Sequence, residues 1–444
     1  MSVRNPSNRN VPILISALIL DLLAFTCILP LLPSILAYYS QALEKDSLYN
    51  TLTAGVRSFQ LAIKAPVTER FNYVFFGGIL GSIFSFLQFV SSPTIGVLSD
   101  KYGRKPMLIL SCTGSVLCYL IWMYSNNFTL FLISRVIGGL SKSCTNVVTA
   151  MIGDIYEGDK NPKGMALIGI SYSIGFLIGP MIGAYFSTLA KNEFFFTVPA
   201  KFSICLSILE LLLFTQISET AIVTKESKEK VVFKDAIQLI NPLSLFQFKA
   251  VSVSDQKKAH MEQYGIVYFL FLFFYSGLEF TLPFLTHARF NYTSVDQGKL
   301  YLFTGLLMLL IQGGVTRRVP LQKQKKLAQF GIITAVPGFY LIAFAESIFM
   351  LYTGLVFFAI TSATVVPALT SCLSDINGLA QRGATIGVFR SIGSLARAVG
   401  PIVASSIFWH FGPTCSYVLG GTAFFLPTYL LHKCLTPKGE TKAE

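Results

Sequence analysis

Charge is scarce in this chain. Only 13% of its 444 residues are Asp, Glu, Lys or Arg, about half the roughly 25% of a soluble globular domain. With 53% hydrophobic residues and a mean hydropathy of +0.60, the chain has too little solvating surface for water, and lipid is its expected solvent. Histidine is also rare, with four dispersed residues. None of the eight cysteines (Cys27, Cys112, Cys118, Cys144, Cys205, Cys372, Cys415, Cys434) forms a Cys-x-x-Cys pair. Disulfide frameworks and metal sites need clustered ligands, so small apolar packing residues are expected and no metal. There is no Gly-x-x-x-x-Gly-Lys-[Ser/Thr] loop. Gly138-Gly-Leu-Ser-Lys142-Ser shares only its end and lies inside an apolar stretch, so ATP is not the expected energy source. No Ser/His/Asp arrangement or His-Glu-x-x-His segment is found, and neither enzyme activity nor a cofactor is expected. The net charge of +13 would suit nucleic acid only if the basic residues clustered on a water-facing surface. They do not, and no nucleic-acid partner is expected.

What is present is a series of apolar stretches. A spanning helix needs about 20 predominantly apolar residues, and such stretches fall at 11–39, 73–98, 107–124, 128–153, 164–190, 198–217, 264–288, 299–316, 327–346, 348–373, 384–409 and 413–432. The expected fold is therefore all-α, with twelve transmembrane helices in two six-helix bundles. Most of the 35 lysines and arginines fall in segments that are cytoplasmic if both termini lie inside, which sets the orientation. The first stretch follows Arg4 and Arg9 as a signal peptide would. It is too long, contains Asp21 and lacks an Ala-x-Ala-like cleavage site, so it reads as a retained helix.

Three domains are expected: an N-terminal bundle over 1–218, a cytoplasmic linker over 219–263 and a C-terminal bundle over 264–444. The linker contains Lys225, Lys228, Lys230 and Lys234, and Val231 to Ile240 alternates at helical spacing before Asn241-Pro242, which predicts a short amphipathic helix on the membrane surface. The outer segment 40–72 carries no readable role. The halves repeat each other: Ser173-Ile174-Gly175 with Gly179-Pro180 in the fifth stretch recurs as Ser391-Ile392-Gly393 with Gly400-Pro401 in the eleventh, and Phe25-Thr26 recurs as Phe280-Thr281. Paired halves of this kind imply a transporter with its site between them, near the bilayer midplane.

The strongest motif is Gly96-Val-Leu-Ser-Asp100-Lys-Tyr-Gly103-Arg104-Lys105-Pro-Met-Leu108, in the short cytoplasmic turn between the second and third stretches. Gly96 and Gly103 allow a tight turn and close helix approach. Asp100 can accept hydrogen bonds from a helix N-terminus or from Arg104, so Gly96, Asp100, Gly103 and Arg104 are the expected conformational latch. The equivalent segment of the second half, Gly314-Val-Thr-Arg317-Arg318, lacks the acid. The motif and its location resemble the signature loop of the major facilitator superfamily. Asp21 with Pro30 and Pro33, Arg135 before Gly138 and Gly139, and Gly175-x-x-x-Gly179-Pro180-x-x-Gly183 resemble its drug:proton antiporter branch. The likeness runs through Val74 to Asp100, Ser276 to Arg289 and Arg390 to Pro401. It implies a monomeric transporter of organic anions, non-steroidal anti-inflammatory drugs among them, with the plasma membrane as default location.

The residues carry their own reading. Charges inside a membrane are costly and mark functional sites by default. Asp21 and Arg135 lie at similar depths, so an Asp21–Arg135 pair released by protonation is one expectation and a static structural pair the other. Lys142 follows Arg135 by about two turns, and Arg390 and Arg397 repeat that spacing. Arg135, Lys142, Arg390 and Arg397 are the expected substrate-binding cations, although Lys142 and Arg390 can equally snorkel to cytoplasmic water. Asp21 and Glu279 are the expected proton-coupling acids. Two acids and four bases leave a cavity of formal charge +2, which favours anions. Gly175, Gly179, Pro180 and Gly183 are expected to pack a helix seam. Gln88 and Gln312 are as readily helix bridges as substrate contacts. Phe25, Tyr172 and Phe389 suit an aromatic drug but more often form core. Lys201, Glu210 and Lys299 receive no role, and Asn127 and Asn291 sit too near the membrane for their glycosylation patterns to be used. The competing readings are proton-driven efflux of cationic or zwitterionic drugs such as tetracycline, and a non-transporting receptor.

Overall fold

The computed structural model describes residues 10–32, 35, 38–39, 46–62, 69–156, 158–189, 196–220, 241–249, 251, 253–292, 294–376 and 382–434. The expected surface helix over 231–240 lies outside them. Among them, apolar composition produces helices in chain order: α1 (Asn10–Thr26), α2 (Ser47–Ala62), α3 (Glu69–Tyr102), α4 (Arg104–Met123), α5 (Phe128–Ser141), α6 (Cys144–Ile155), α7 (Asn161–Leu189), α8 (Thr197–Thr215), α9 (Pro242–Phe246), α10 (Asp255–Phe290), α11 (Ser294–Gly314), α12 (Leu321–Ala343), α13 (Ile348–Ile376), α14 (Arg382–Ala423) and α15 (Phe425–Lys433).

Nine segments among the described residues are long and apolar enough to span a bilayer. The longest, Arg382–Lys433, turns at Gly412, whose φ of 84° suits glycine, and so contains two spans. The first span, α1, ends at Thr26 and continues as a 3-10 turn at Leu29–Leu31. The fourth is broken into α5 and α6, because Lys142 (φ −77°, ψ 51°) leaves helical geometry. These bring the number to twelve. The seventh span, α10, begins at Asp255, well before the expected 264. Asn241 caps the start of α9 by accepting from the Leu243 amide at 3.0 Å.

The internal repeat is structural. Gly175 of α7 packs against Leu22 of α1, where a Cβ would sit 2.5 Å from the Leu22 Cβ, and Thr26 donates to the Gly175 carbonyl at 2.8 Å. In the second half the equivalent Gly393 of α14 packs against α10, where a Cβ would sit 2.6 Å from the Tyr268 ring, and the next pair of the repeat, Gly179 and Gly400, is held as tightly, by Thr26 and by the Phe273 carbonyl. The glycine seams thus hold each half together internally. Contact between halves runs through α3 against α14 and through α7 against α11. The repeated serines serve it twice: Ser391 donates to the Phe89 carbonyl at 2.6 Å, and Ser173 donates to Gln312 Oε1 at 2.8 Å. Gln312 is therefore a bridge between halves.

The outer segment has a traceable anchor. Asp46 accepts from the Leu48 amide at 3.0 Å and from the Thr129 amide at 2.9 Å and hydroxyl at 2.5 Å, which ties α2 to the start of α5. The Thr129 hydroxyl is the main cause holding the Asp46 carboxyl below its ordinary range; desolvation opposes it, and the two amides add to it.

Two predictions follow from these contacts. Gly179→Val should lower the unfolding temperature of the purified protein, since overpacking costs about 1–3 kcal/mol, while Gly81→Ala, with open space around it, should not. A carboxyl with a depressed folded-state pKa contributes stability that is lost only as pH falls through that lowered value. Hydrogen-exchange protection of α2 should therefore persist down to about pH 3.9, the ordinary Asp range, and disappear below it; Asp46→Ala should abolish it at neutral pH.

Candidate functional site

Two polar regions interrupt the apolar interior, and both are built from span ends and breaks. The first closes the cytoplasmic side. Gly103, with φ of 103°, makes the sharp turn between α3 and α4. The turn sets Asp100 at the end of α3 against Arg104 at the start of α4, with 2.6 Å between Oδ1 and Nη1. Asp100 also accepts from the Gly383 and Ala384 amides at 3.0 and 2.6 Å. These are the exposed donors of the α14 N-terminus, where a helix dipole favours negative charge. Gly96 lies against the same turn, where a Cβ would meet the Gly383 carbonyl at 2.6 Å. Both contacts expected of Asp100 are therefore made together, and one crosses between halves.

Three further residues of this region carried no sequence expectation. Asp154, at the end of α6, is buried between Arg104 Nε at 3.2 Å and Arg382 Nη1 at 3.3 Å. Arg382 also donates to the Gly153 carbonyl, so an arginine of the second half is held by the first. Glu219 accepts from the Arg104 and Lys105 amides at 2.9 and 3.0 Å and caps α4. The available signal was an acid at the cytoplasmic end of the fourth stretch facing a lone basic residue before the eleventh. Pairing them required the fold. On the second half, Arg317 and Arg318 are exposed and form no ion pair among the described residues.

The second region lies within the first half. Asp21 of α1 is 1% exposed and bonds Lys142 Nζ through Oδ1 at 2.5 Å. This corrects the expected Asp21–Arg135 pair. Lys142 directly follows the last residue of α5 with φ still near helical, so it keeps the face it shares with Arg135, and of the two it is Lys142 that reaches Asp21. Lys142 and Arg135 nevertheless share a cavity of about 10 Å³, lined also by Phe25, Phe84, Tyr119 and Gly138. Lys142 Nζ sits 4.7 Å from the Phe25 ring centre.

Arg135 is 6% exposed. It donates to Ser134 at 3.2 Å and to Cys118 Sγ at 3.5 Å, and its guanidinium lies 5.4 Å from both the Trp122 and Phe131 rings. Arg390, equally buried, lies 5.7 Å from the Tyr172 ring of the opposite half, and its Nε has no hydrogen-bond partner among the described residues. Neither arginine has a carboxylate within 4.0 Å among the described residues. Neither Lys142 nor Arg390 snorkels to water. Phe389 stacks on Tyr268 at 3.9 Å and is core. Glu279 of α10 faces Arg397 of α14 without a direct ion pair among the described residues. Glu210 of α8, given no role from sequence, is fully buried beside Asp21 and adds a third acid to the two expected. Against four bases, the formal charge with all groups ionised is +1 and not the expected +2.

Known proteins share this sequence and fold. Residues 14–401 match the Major Facilitator Superfamily. Major facilitator superfamily domain-containing protein 10 of Mus musculus is 39% identical over 98% of this chain and 95% of its own length. The solved structure of the human organic anion transporter MFSD10 (TETRAN) is 38% identical and superposes with a TM-score of 0.89, covering 96% of this chain and 100% of that one. The class B tetracycline resistance protein of Escherichia coli is more distant, at 23% identity over 82% of this chain and 87% of its own. With its twelve helical spans and its latch loop, this chain is a multi-pass membrane protein and belongs to the Major Facilitator Superfamily of transporters.

Proposed function

We propose that this chain moves organic anions across the bilayer by alternating access, with Arg135 and Arg390 as the anion-binding cations. One observation carries the reading: both guanidinium groups are buried, and no carboxylate among the described residues neutralises either. Removing an ion from water costs several kcal/mol, in order of magnitude, unless something compensates it. The aromatic faces of Trp122, Phe131 and Tyr172 supply part of the compensation, and a mobile anion supplies the rest. The same rings suit an amphipathic guest, and the name of the human relative, an organic anion transporter, supports this substrate class.

The remaining cations are engaged differently. Lys142 is held by Asp21, and Arg397 faces Glu279, so Asp21 and Glu279 are the acids whose protonation frees a base. Protonating Asp21 breaks its ion pair and releases Lys142 into the cavity it shares with Arg135. Substrate must then stabilise the occluded conformation more than the open ones for the cycle to proceed. Asp100, Arg104, Asp154 and Arg382 hold the cytoplasmic end shut until that happens.

Uptake of a labelled anionic drug into proteoliposomes checks the cationic site. Arg135→Ala and Arg390→Ala, with normal folding, should each lose roughly tenfold or more of the parent uptake, corresponding to about 1.4 kcal/mol of binding. Transport at the parent rate by both would remove the proposed site. The latch is checked by reaction of a Ser374→Cys variant with a membrane-impermeant thiol reagent from the cytoplasmic side. Ser374 is 1% exposed and bonded to Asn161 across the halves at 3.2 Å, so labelling should be slow and should rise several-fold when Asp100→Ala is added.

A further inference from the structure

We infer that Asp21 and Glu210 form a two-carboxylate proton site in the first half, in which the two acids share one proton and Lys142 pairs with whichever of them is ionised. Glu210 is fully buried on α8; its Oε1 accepts from the Cys144 thiol at 3.2 Å and its Oε2 has no hydrogen-bond partner among the described residues. Asp21 Oδ1 holds Lys142 Nζ at 2.5 Å, while its Oδ2 also lacks a partner among them. One carboxylate oxygen of each acid and the Cys144 sulfur lie within 4.8 Å of one another. The other titratable groups facing the pair are the Cys112 thiol and the Tyr119 phenol of α4, both neutral donors.

One ammonium therefore serves two buried carboxylates. It neutralises one of them. The other has only the Cys144 and Cys112 thiols and the Tyr119 phenol near it, and a carboxylate without a counter-charge in such surroundings is far more costly than a carboxylic acid. One added proton brings Asp21, Glu210 and Lys142 to zero net charge, whichever acid carries it, so the proton is a property of the pair. Passage of the proton from Glu210 to Asp21 leaves Glu210 ionised, and Lys142 changes partner with no change in total charge. A second proton neutralises both acids and leaves Lys142 as a free cation beside Arg135. The cavity of about 10 Å³ that Lys142 and Tyr119 line is roughly the size needed for one water. With Glu210 neutral, the interior charge returns to the +2 that favours anions. The consequence for anion binding rests on the transport reading; the proton site itself does not.

The test uses the full-length purified protein in lipid nanodiscs without substrate. Infrared difference spectra read the protonated-carboxyl stretch and its shift in heavy water, so failure of anion uptake leaves the result intact. At neutral pH, Glu210→Gln should remove one protonated-carboxyl signal from the parent spectrum. Asp21→Asn should also remove it, because Lys142 then ionises Glu210; an isolated protonated Glu210 would keep its signal in that variant. Lys142→Gln should add one signal, as both acids become neutral. Unfolding temperature checks each near-isosteric variant. A spectrum unchanged by Glu210→Gln, a signal that survives Asp21→Asn, or stoichiometric zinc retained on the purified parent would each overturn the proposal.

Discussion

A charge without a partner is hardly tolerated where neither water nor a counter-ion can reach it, and the interior of this molecule is arranged around that limit. The core of the first half divides into two apolar clusters, one containing Leu18, Leu22 and Phe214 and the other Ala24, Phe131 and Ala200. Glu210 on α8 falls between the two clusters along its helix, Asp21 on α1 lies inside the first of them between Leu18 and Leu22, and Lys142 stands at the break between α5 and α6. The second half has one continuous cluster from Leu245 to Cys434, joined by Phe89 of the first half, and its acid, Glu279, makes no ion pair among the described residues. The repeat is therefore broken in its electrostatics while it is kept in its packing. Gly175 and Gly393 make equivalent close helix contacts, yet among the described residues only the first half buries an acid pair within its spans.

The two ends of the molecule are closed by different forces. At the cytoplasmic end Asp100, Arg104, Asp154 and Arg382 link the halves through charge-assisted hydrogen bonds, which are strong, directional and lost together when their geometry fails. At the outer end, Trp409 of α14 packs against the cores of both halves, an apolar contact that tolerates sliding. A network lost as a unit suits a gate with two states. Span four ends in Gly153 and Asp154, so the helix that begins after Lys142 reaches the cytoplasmic network within about three turns, which is the route by which the proposed proton uptake would bias such a gate.

Much of this was legible from residue order. The twelve spans followed from hydropathy, the orientation from Lys and Arg, and the latch from a glycine-acid-glycine-base turn whose location matched its content. Asp100 was readable because its partners are local: Arg104 is four residues away, and a helix N-terminus attracts any nearby carboxylate. Asp21 was recognisable as costly, but its partner was not. Helical spacing places Arg135 and Lys142 on one face of the fourth span, and which of the two meets Asp21 depends on how that helix is shifted along α1. Glu210 gave still less signal, since an acid near the middle of an apolar stretch faces lipid, water or core according to a rotation that hydropathy does not encode. Asp154 and Arg382 are separated by more than two hundred residues.

Residue order alone determined that the chain dissolves in lipid, how often it crosses, which side faces the cytoplasm and that its halves repeat. Each of these depends on transfer free energy or local turn chemistry, which are nearly additive along a chain. Tertiary structure decided that Lys142 and not Arg135 serves Asp21, that Arg135 and Arg390 are left without a carboxylate among the described residues, and that a second acid, Glu210, is buried beside the Asp21–Lys142 pair. Those outcomes depend on distances between helices far apart in sequence, because the energy of a buried charge is set by what lies within a few ångströms of it.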